Sequence, residues 1–202
     1  MKKATKGEYG YFANERRRRL ILTLLFAAIP AVIFIVGFVV TGTGKNLLSV
    51  AALVMVIPFA MSFTGFVTVM TKKSISKEEY ETILPHTEGL LMAYELYVTH
   101  EKASTFIDAA AICGNNVIGL VTDKKGDPAF TREYMEKTLR GAGFSGISVK
   151  LMTDTGKFLE RLDGMAAHAD SLREGLKYKP DARYPDYSRE ELIWVTLLEI
   201  SF

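Results

Sequence analysis

The chain is predicted to be an α-helical membrane hairpin followed by a small α+β cytoplasmic domain. Three observations lead there. Two long apolar runs, 20–40 and 47–70, contain no Asp, Glu, Lys, Arg or His. Lys and Arg crowd the outer flanks of those runs. At about Thr71 the composition changes to that of an ordinary charged globular sequence.

A bilayer core about 30 Å thick needs roughly 20 apolar residues at a helical rise of about 1.5 Å. Both runs reach that length. The first is too long for the apolar core of a signal peptide, and Thr41-Gly42-Thr43-Gly44 is no small-residue cleavage site. A buried soluble helix of this length would show a polar face. Here the interior polar groups are Thr23, Ser49, Ser62, Thr64 and Thr68, whose hydroxyls bond back to helix carbonyls.

Residues 1–19 form a basic N-terminal segment with Lys2, Lys3, Lys6 and Arg16, Arg17, Arg18 and Arg19. Tyr9, Tyr11 and Phe12 precede the arginine run, so the segment reads as a tail or as a short amphipathic stretch on the membrane surface. Lys72, Lys73 and Lys77 follow the second run, while the loop at 41–46 holds only Lys45. The positive-inside rule then puts both termini in the cytoplasm of a two-span protein of the cell membrane. Arg16–Arg19, Lys72 and Lys73 are the expected anchors to anionic headgroups.

Pro30 and Pro58 lie at matching depths once the hairpin folds at its loop. Each removes a backbone donor and bends its helix. Ala27 and Ala31, four apart, are small enough for close approach of another helix, so a homo-oligomer or a protein partner is expected. With no ionisable group at depth, a channel or transporter acting alone is not expected.

Residues 71–202 form the domain. Ser76 and Glu79 have capping-box spacing, and Pro85 ends the helix they start. Residues 90–122 read as a three-stranded antiparallel meander, with Gly114-Asn115-Asn116 as a hairpin turn. The first strand alternates poorly, through Met92, Tyr94, Leu96 and Val98, so a helix stays open there. Asp127 caps a helix to about Arg140, with Phe130, Tyr134 and Leu139 as inward positions. A strand at 147–152 and a helix at about 155–172 follow, the latter facing inward through Phe158, Leu159, Leu162, Met165 and Ala166. Residues 173–189 are an irregular loop. The segment 191–202, rich in β-branched and aromatic residues, reads as a strand, with a helix left open.

The whole chain carries +2, with 25 Lys and Arg against 23 Asp and Glu. Residues 71–202 hold 17 basic and 21 acidic residues, a net −4, so nucleic acid is not the expected partner. The single Cys113 cannot form an internal disulfide, which fits a reducing compartment. His86, His100 and His168 lack metal-ligand spacing. No phosphate-binding loop or nucleophile elbow is present, and no cofactor is expected.

One constellation carries chemistry. Asp108 lies on the second predicted strand, and Val117-Ile-Gly-Leu-Val-Thr-Asp-Lys124 forms the third. The order of meander, helix, strand and helix over residues 90–166 resembles restriction-endonuclease-like, nuclease-related domains. The resemblance implies an acidic residue on one strand and a Glu-x-Lys pair on the next, holding magnesium against a phosphodiester. Asp108 matches the first position. Val121 and Asp123 stand where Glu and Lys would, and Lys124 is one residue out of register. Asp108, Asp123 and Lys124 are therefore the candidate catalytic residues. The leading expectation is a membrane-anchored interaction or scaffold module without an evident catalytic site. The alternatives are a subunit of a membrane transport or secretion assembly, and a degenerate or active membrane-tethered metal-dependent nuclease.

Overall fold

The computed structural model describes residues 4–99, 104–123, 126–176, 178 and 181–202. The chain divides into two compact units, 12–72 and a second made of 1–11 with 73–202.

The first unit is a helical hairpin. Helix α1 (Tyr11–Thr41) is continuous through Pro30. The return leg is broken into α2 (Leu47–Val54) and α3 (Val56–Met70). The break has a simple cause. Pro58 has no N–H to give to the carbonyl four residues back, that of Val54, and its ring crowds it. Helix α2 ends at Val54, and Pro58 falls in the first turn of α3, where proline is tolerated. Both legs are long and apolar enough to cross a membrane.

Small residues let the legs meet. A Cβ on Gly37 would stand 2.7 Å from the Leu48 Cβ and 2.9 Å from the Asn46 Oδ1. Deeper along the seam the Thr23 and Ser62 hydroxyls bond at 3.1 Å. Ala52 is buried there too. Of the pair expected to admit another helix, Ala27 is half-buried and Ala31 exposed. The loop is tied internally. Asn46 caps α2 by accepting from the Ser49 N–H at 2.8 Å, and its amide donates to the Thr41 Oγ1 and the Thr43 carbonyl.

The second unit is a four-stranded mixed sheet between two helical layers. Helix α4 (Lys77–Ile83) starts on the Ser76–Glu79 capping box and passes into a 3-10 turn at Leu84–His86. Strands β1 (Leu91–Thr99), β2 (Ser104–Cys113) and β3 (Asn116–Leu120) pair antiparallel in chain order. Helix α5 (Pro128–Gly141) then crosses over, and β4 (Ser148–Met152) pairs parallel with β3. The sheet thus has four strands and mixed pairing rather than a three-stranded meander alone. Helices α6 (Thr155–Ala167), α7 (Ala169–Arg173) and α8 (Arg189–Ile200) complete it.

One face packs α5 and α8 through Met135, Leu139, Leu192, Ile193 and Leu197 against Ala93, Leu96, Val98 and Ala110. The other packs α4, α6 and α7 through Ile83, Phe158, Leu162, Met165 and Ala169 against Ala109, Ala111, Ile118 and Leu120. Covered on both sides, β2 is apolar almost throughout.

Two expectations are corrected. The segment 191–202 is mostly helix, because Ser188 and Glu191 form a second capping box and Leu192, Ile193 and Leu197 share one buried face. On α5 the inward positions are Thr131, Met135 and Leu139, while Phe130 is exposed. Thr131 turns inward because its hydroxyl bonds the Thr105 hydroxyl at 2.7 Å.

Both sheet edges are partly covered. On β1 the Tyr94 N–H donates to the Gly7 carbonyl, and the Tyr97 carbonyl accepts from the Phe202 N–H, each at 2.8 Å. Residues near both chain ends therefore cover this edge. On β4 the Val149 N–H donates to the Glu136 carboxylate at 3.1 Å. Such contacts reduce the template for edge-to-edge pairing. The N-terminal segment is thus divided: residues up to Tyr11 belong to the α+β unit, and 12–19 are the first turns of α1.

Candidate functional site

Two constellations concentrate charge, one in each unit. In the α+β unit the register runs Tyr94↔Ala109 and then Leu96↔Ile107, leaving Glu95 and Asp108 opposite each other in between. Glu95 has φ +56°, a left-handed conformation rare for a side-chain-bearing residue. Across this step both strands change which layer their side chains enter. Ala93 faces the α5–α8 layer and Tyr94 the opposite one, yet Leu96 and Val98 face α5–α8 again. In β2, Ala109 faces α6 while Ala110 and Ile107 face α5–α8.

The step buries two carboxylates, Glu95 at 2% and Asp108 at 3% exposure. Glu95 accepts from the Ser74 hydroxyl and from the Ile75 N–H, the latter at 3.2 Å. Asp108 accepts from the Thr122 N–H at 2.7 Å and from the Thr122 hydroxyl at 3.1 Å. Burial raises the Asp108 pKa above the ordinary carboxylate value; the Thr122 bonds oppose the shift and the nearby Glu79 charge adds to it. Asp123 pairs with Lys73 at 3.6 Å. Lys124 lies outside the described residues, as does His100.

The magnesium site implied by the nuclease resemblance does not fit these residues. Asp108 sits on an interior strand with both oxygens engaged by Thr122. Val121, at the acidic position, is a buried core residue. Among the described residues no three of His, Cys, Asp and Glu are grouped to hold a metal ion. Cys113 is also buried, its thiol donating to the Ala169 carbonyl at 3.8 Å and its pKa raised mainly by burial. A surface cavity of about 310 Å3 opens beside α8, near Phe144, Tyr184 and Leu192. Its one arginine, Arg183, is already held by Asp181 and Glu199.

The Asp108 geometry makes a pH prediction. A carboxyl whose pKa is higher folded than unfolded gives stability that is full below the unfolded value. That stability is lost as pH rises through the folded value. Asp108→Asn keeps the shape and an acceptor for the Thr122 N–H but removes the charge. The variant should therefore gain on the parent as pH climbs above about 4, the ordinary range of an aspartate. Trp194, the sole tryptophan, donates to the Met92 carbonyl at 3.1 Å and reports unfolding of this unit by its fluorescence.

The second constellation is the arginine run at the head of α1. Arg16 donates to the Lys72 carbonyl at 2.7 Å, satisfying a carbonyl just past the end of α3. Arg17 is exposed. Arg18 and Arg19 both reach the buried Glu15, at 3.2 and 2.9 Å. Glu15 was not singled out from sequence, although its spacing of three and four from these arginines is legible there. Arg19 lies over Gly65 of α3, where a Cβ would stand 2.4 Å from its Nη1. Below, Leu22, Phe26, Pro58 and Met61 wall a groove of about 390 Å3 between the legs. Lys73 belongs to the α+β unit and pairs there with Asp123.

No protein-family model matches the chain, and no curated protein or solved structure matches it either.

Proposed function

We propose that the protein is a membrane-anchored interaction module. The hairpin spans the bilayer twice, both termini are cytoplasmic, and the α+β unit is displayed on the cytoplasmic face to hold a partner or a second copy of the chain. One observation carries the anchoring. Among the described residues, the exposed large apolar side chains all lie on the hairpin, apart from Leu84, Phe130, Tyr178, Tyr187 and Phe202. A surface of that extent is stable against hydrocarbon and not against water. The flanking basic residues set the orientation.

The interaction reading is preferred over a phosphodiester-cleaving one because the two carboxylates of the sheet step are turned inward. Glu95 is committed to Ser74 and Ile75, and Asp108 to Thr122. Exposed Ala31 supports self-association, since it offers a close-approach position that the hairpin does not use itself.

Cross-linking of the full-length protein in native membranes tests this. A discrete adduct with a second copy or another protein is expected. Ala27→Leu combined with Ala31→Leu should lower the oligomer mass in mild detergent. Monomer alone, in membranes and in detergent, would remove the reading.

A further inference from the structure

We propose that the groove between α1 and α3 is a binding site for one anionic phospholipid, its phosphate on Arg18 and Arg19 and one acyl chain along Leu22, Phe26 and Met61. The inference rests on the hairpin lying in a bilayer. It goes further by assigning a stoichiometric lipid to a built site in place of general attraction to headgroups.

Charge is the first argument. The lining contains two guanidinium groups and one carboxylate, Glu15. Arg18 and Arg19 share that carboxylate, so one positive charge at the mouth is not neutralised within the groove. Arginine recognises phosphate through paired N–H donors, and Arg18 keeps an exposed side chain, 55% accessible, to offer them. A zwitterionic headgroup, with its own cation, would match that single charge less well.

Shape is the second. The charged groups lie at the mouth only. One and two helical turns inward the walls are Leu22 and Phe26 on α1, with Met61 and Pro58 on α3. Arg19 to Phe26 spans seven residues, about 10 Å of helix. That is most of the hydrocarbon depth of one leaflet, roughly 15 Å. A polar mouth over an apolar trough of that depth fits an amphiphile with a phosphate head. A free phosphate would leave the trough empty.

The local backbone builds the site. Gly65 lacks the side chain that would displace the Arg19 guanidinium, so the charge lies across the partner helix. Glu15, itself 8% exposed, holds both guanidiniums in place and limits the entropy lost on binding. Basic pockets between helices on the cytoplasmic side are a known means of holding anionic headgroups.

Native mass spectrometry of the full-length protein in detergent tests the proposal. It is incubated with dioleoyl phosphatidylglycerol or dioleoyl phosphatidylcholine at equal concentration. One phosphatidylglycerol per chain should be retained, and phosphatidylcholine should not. Arg18→Gln leaves Glu15 paired with Arg19 and makes the mouth neutral, so retention should fall about tenfold, the loss of one charge-assisted contact. Met61→Trp keeps every charge and fills the trough, and retention should fall again. Excess inorganic phosphate should not displace the lipid. Equal retention of both lipids, retention unchanged in either variant, or displacement by phosphate would each overturn the site. Resistance of the protein to extraction by alkaline carbonate is read in parallel. Extraction would sink the membrane reading itself, whereas a retained protein without selective lipid sinks only the groove.

Discussion

Glu95→Ala should lower the stability of the α+β unit by about 3 kcal/mol, read from the Trp194 fluorescence of the detergent-solubilised protein during denaturation. The carboxylate accepts from Ser74 and Ile75 in a site with 2% exposure. Removing it strands the buried Ile75 N–H, at about 1–3 kcal/mol, and takes the acceptor from the half-buried Ser74 hydroxyl. Alanine also inherits φ +56° without the bonds that hold Glu95 there. Glu95→Gln retains an acceptor of the same reach and should recover part of the loss. A Glu95→Ala variant as stable as the parent would mean that the left-handed step is not held by this carboxylate.

Gly114→Ala should cost about 3 kcal/mol or more, combining left-handed strain with a backbone collision. Gly114 has φ +60°, and a Cβ there would stand 2.1 Å from the Leu172 carbonyl oxygen. That oxygen belongs to α7, so relief requires moving α7 off the β2–β3 hairpin. The Cys113 contact with Ala169 would be lost on the way. Gly143→Ala separates the two contributions. Its φ is +94°, yet nothing lies within 4 Å of the added Cβ. It should cost about 1–2 kcal/mol, the conformational part alone. Equal losses at the two sites would show that the collision is relieved without consequence.

The parts of this fold that were legible are those set by local chemistry. The Ser76–Glu79 box, the Asp127 cap and the turn at Gly114-Asn115-Asn116 all follow from side-chain donors, acceptors and backbone freedom within four residues. The apolar runs were legible because charge is absent over more than 20 residues in each. The break at Met55 follows from Pro58 by the same local logic, although only a bend was expected there.

What was not legible depends on contacts distant in sequence. Strand β1 fails to alternate because Glu95 turns its backbone to reach Ser74 and Ile75, twenty residues upstream. Asp108 looked like a catalytic acid because it matches the first acidic position of the nuclease-like order; its partner Thr122, fourteen residues on, follows β3. Segment 191–202 looked like a strand from Ile193, Trp194, Val195 and Thr196. Tertiary burial of Leu192, Ile193 and Leu197 and the Ser188 cap outweigh that propensity. In the hairpin, Gly37 and Gly65 matter through what a Cβ would strike on the other leg. No periodicity in a single helix signals that.

The central claim is that lipid surrounds the hairpin while the α+β unit stays inside the cell. Cysteine accessibility in intact cells tests it most directly, since the only native cysteine, Cys113, is fully buried. Thr43→Cys, in the exposed loop of the hairpin, should react with a membrane-impermeant maleimide added outside. Lys157→Cys, exposed on α6, should react only after lysis. Labelling of Lys157→Cys in intact cells would contradict the account.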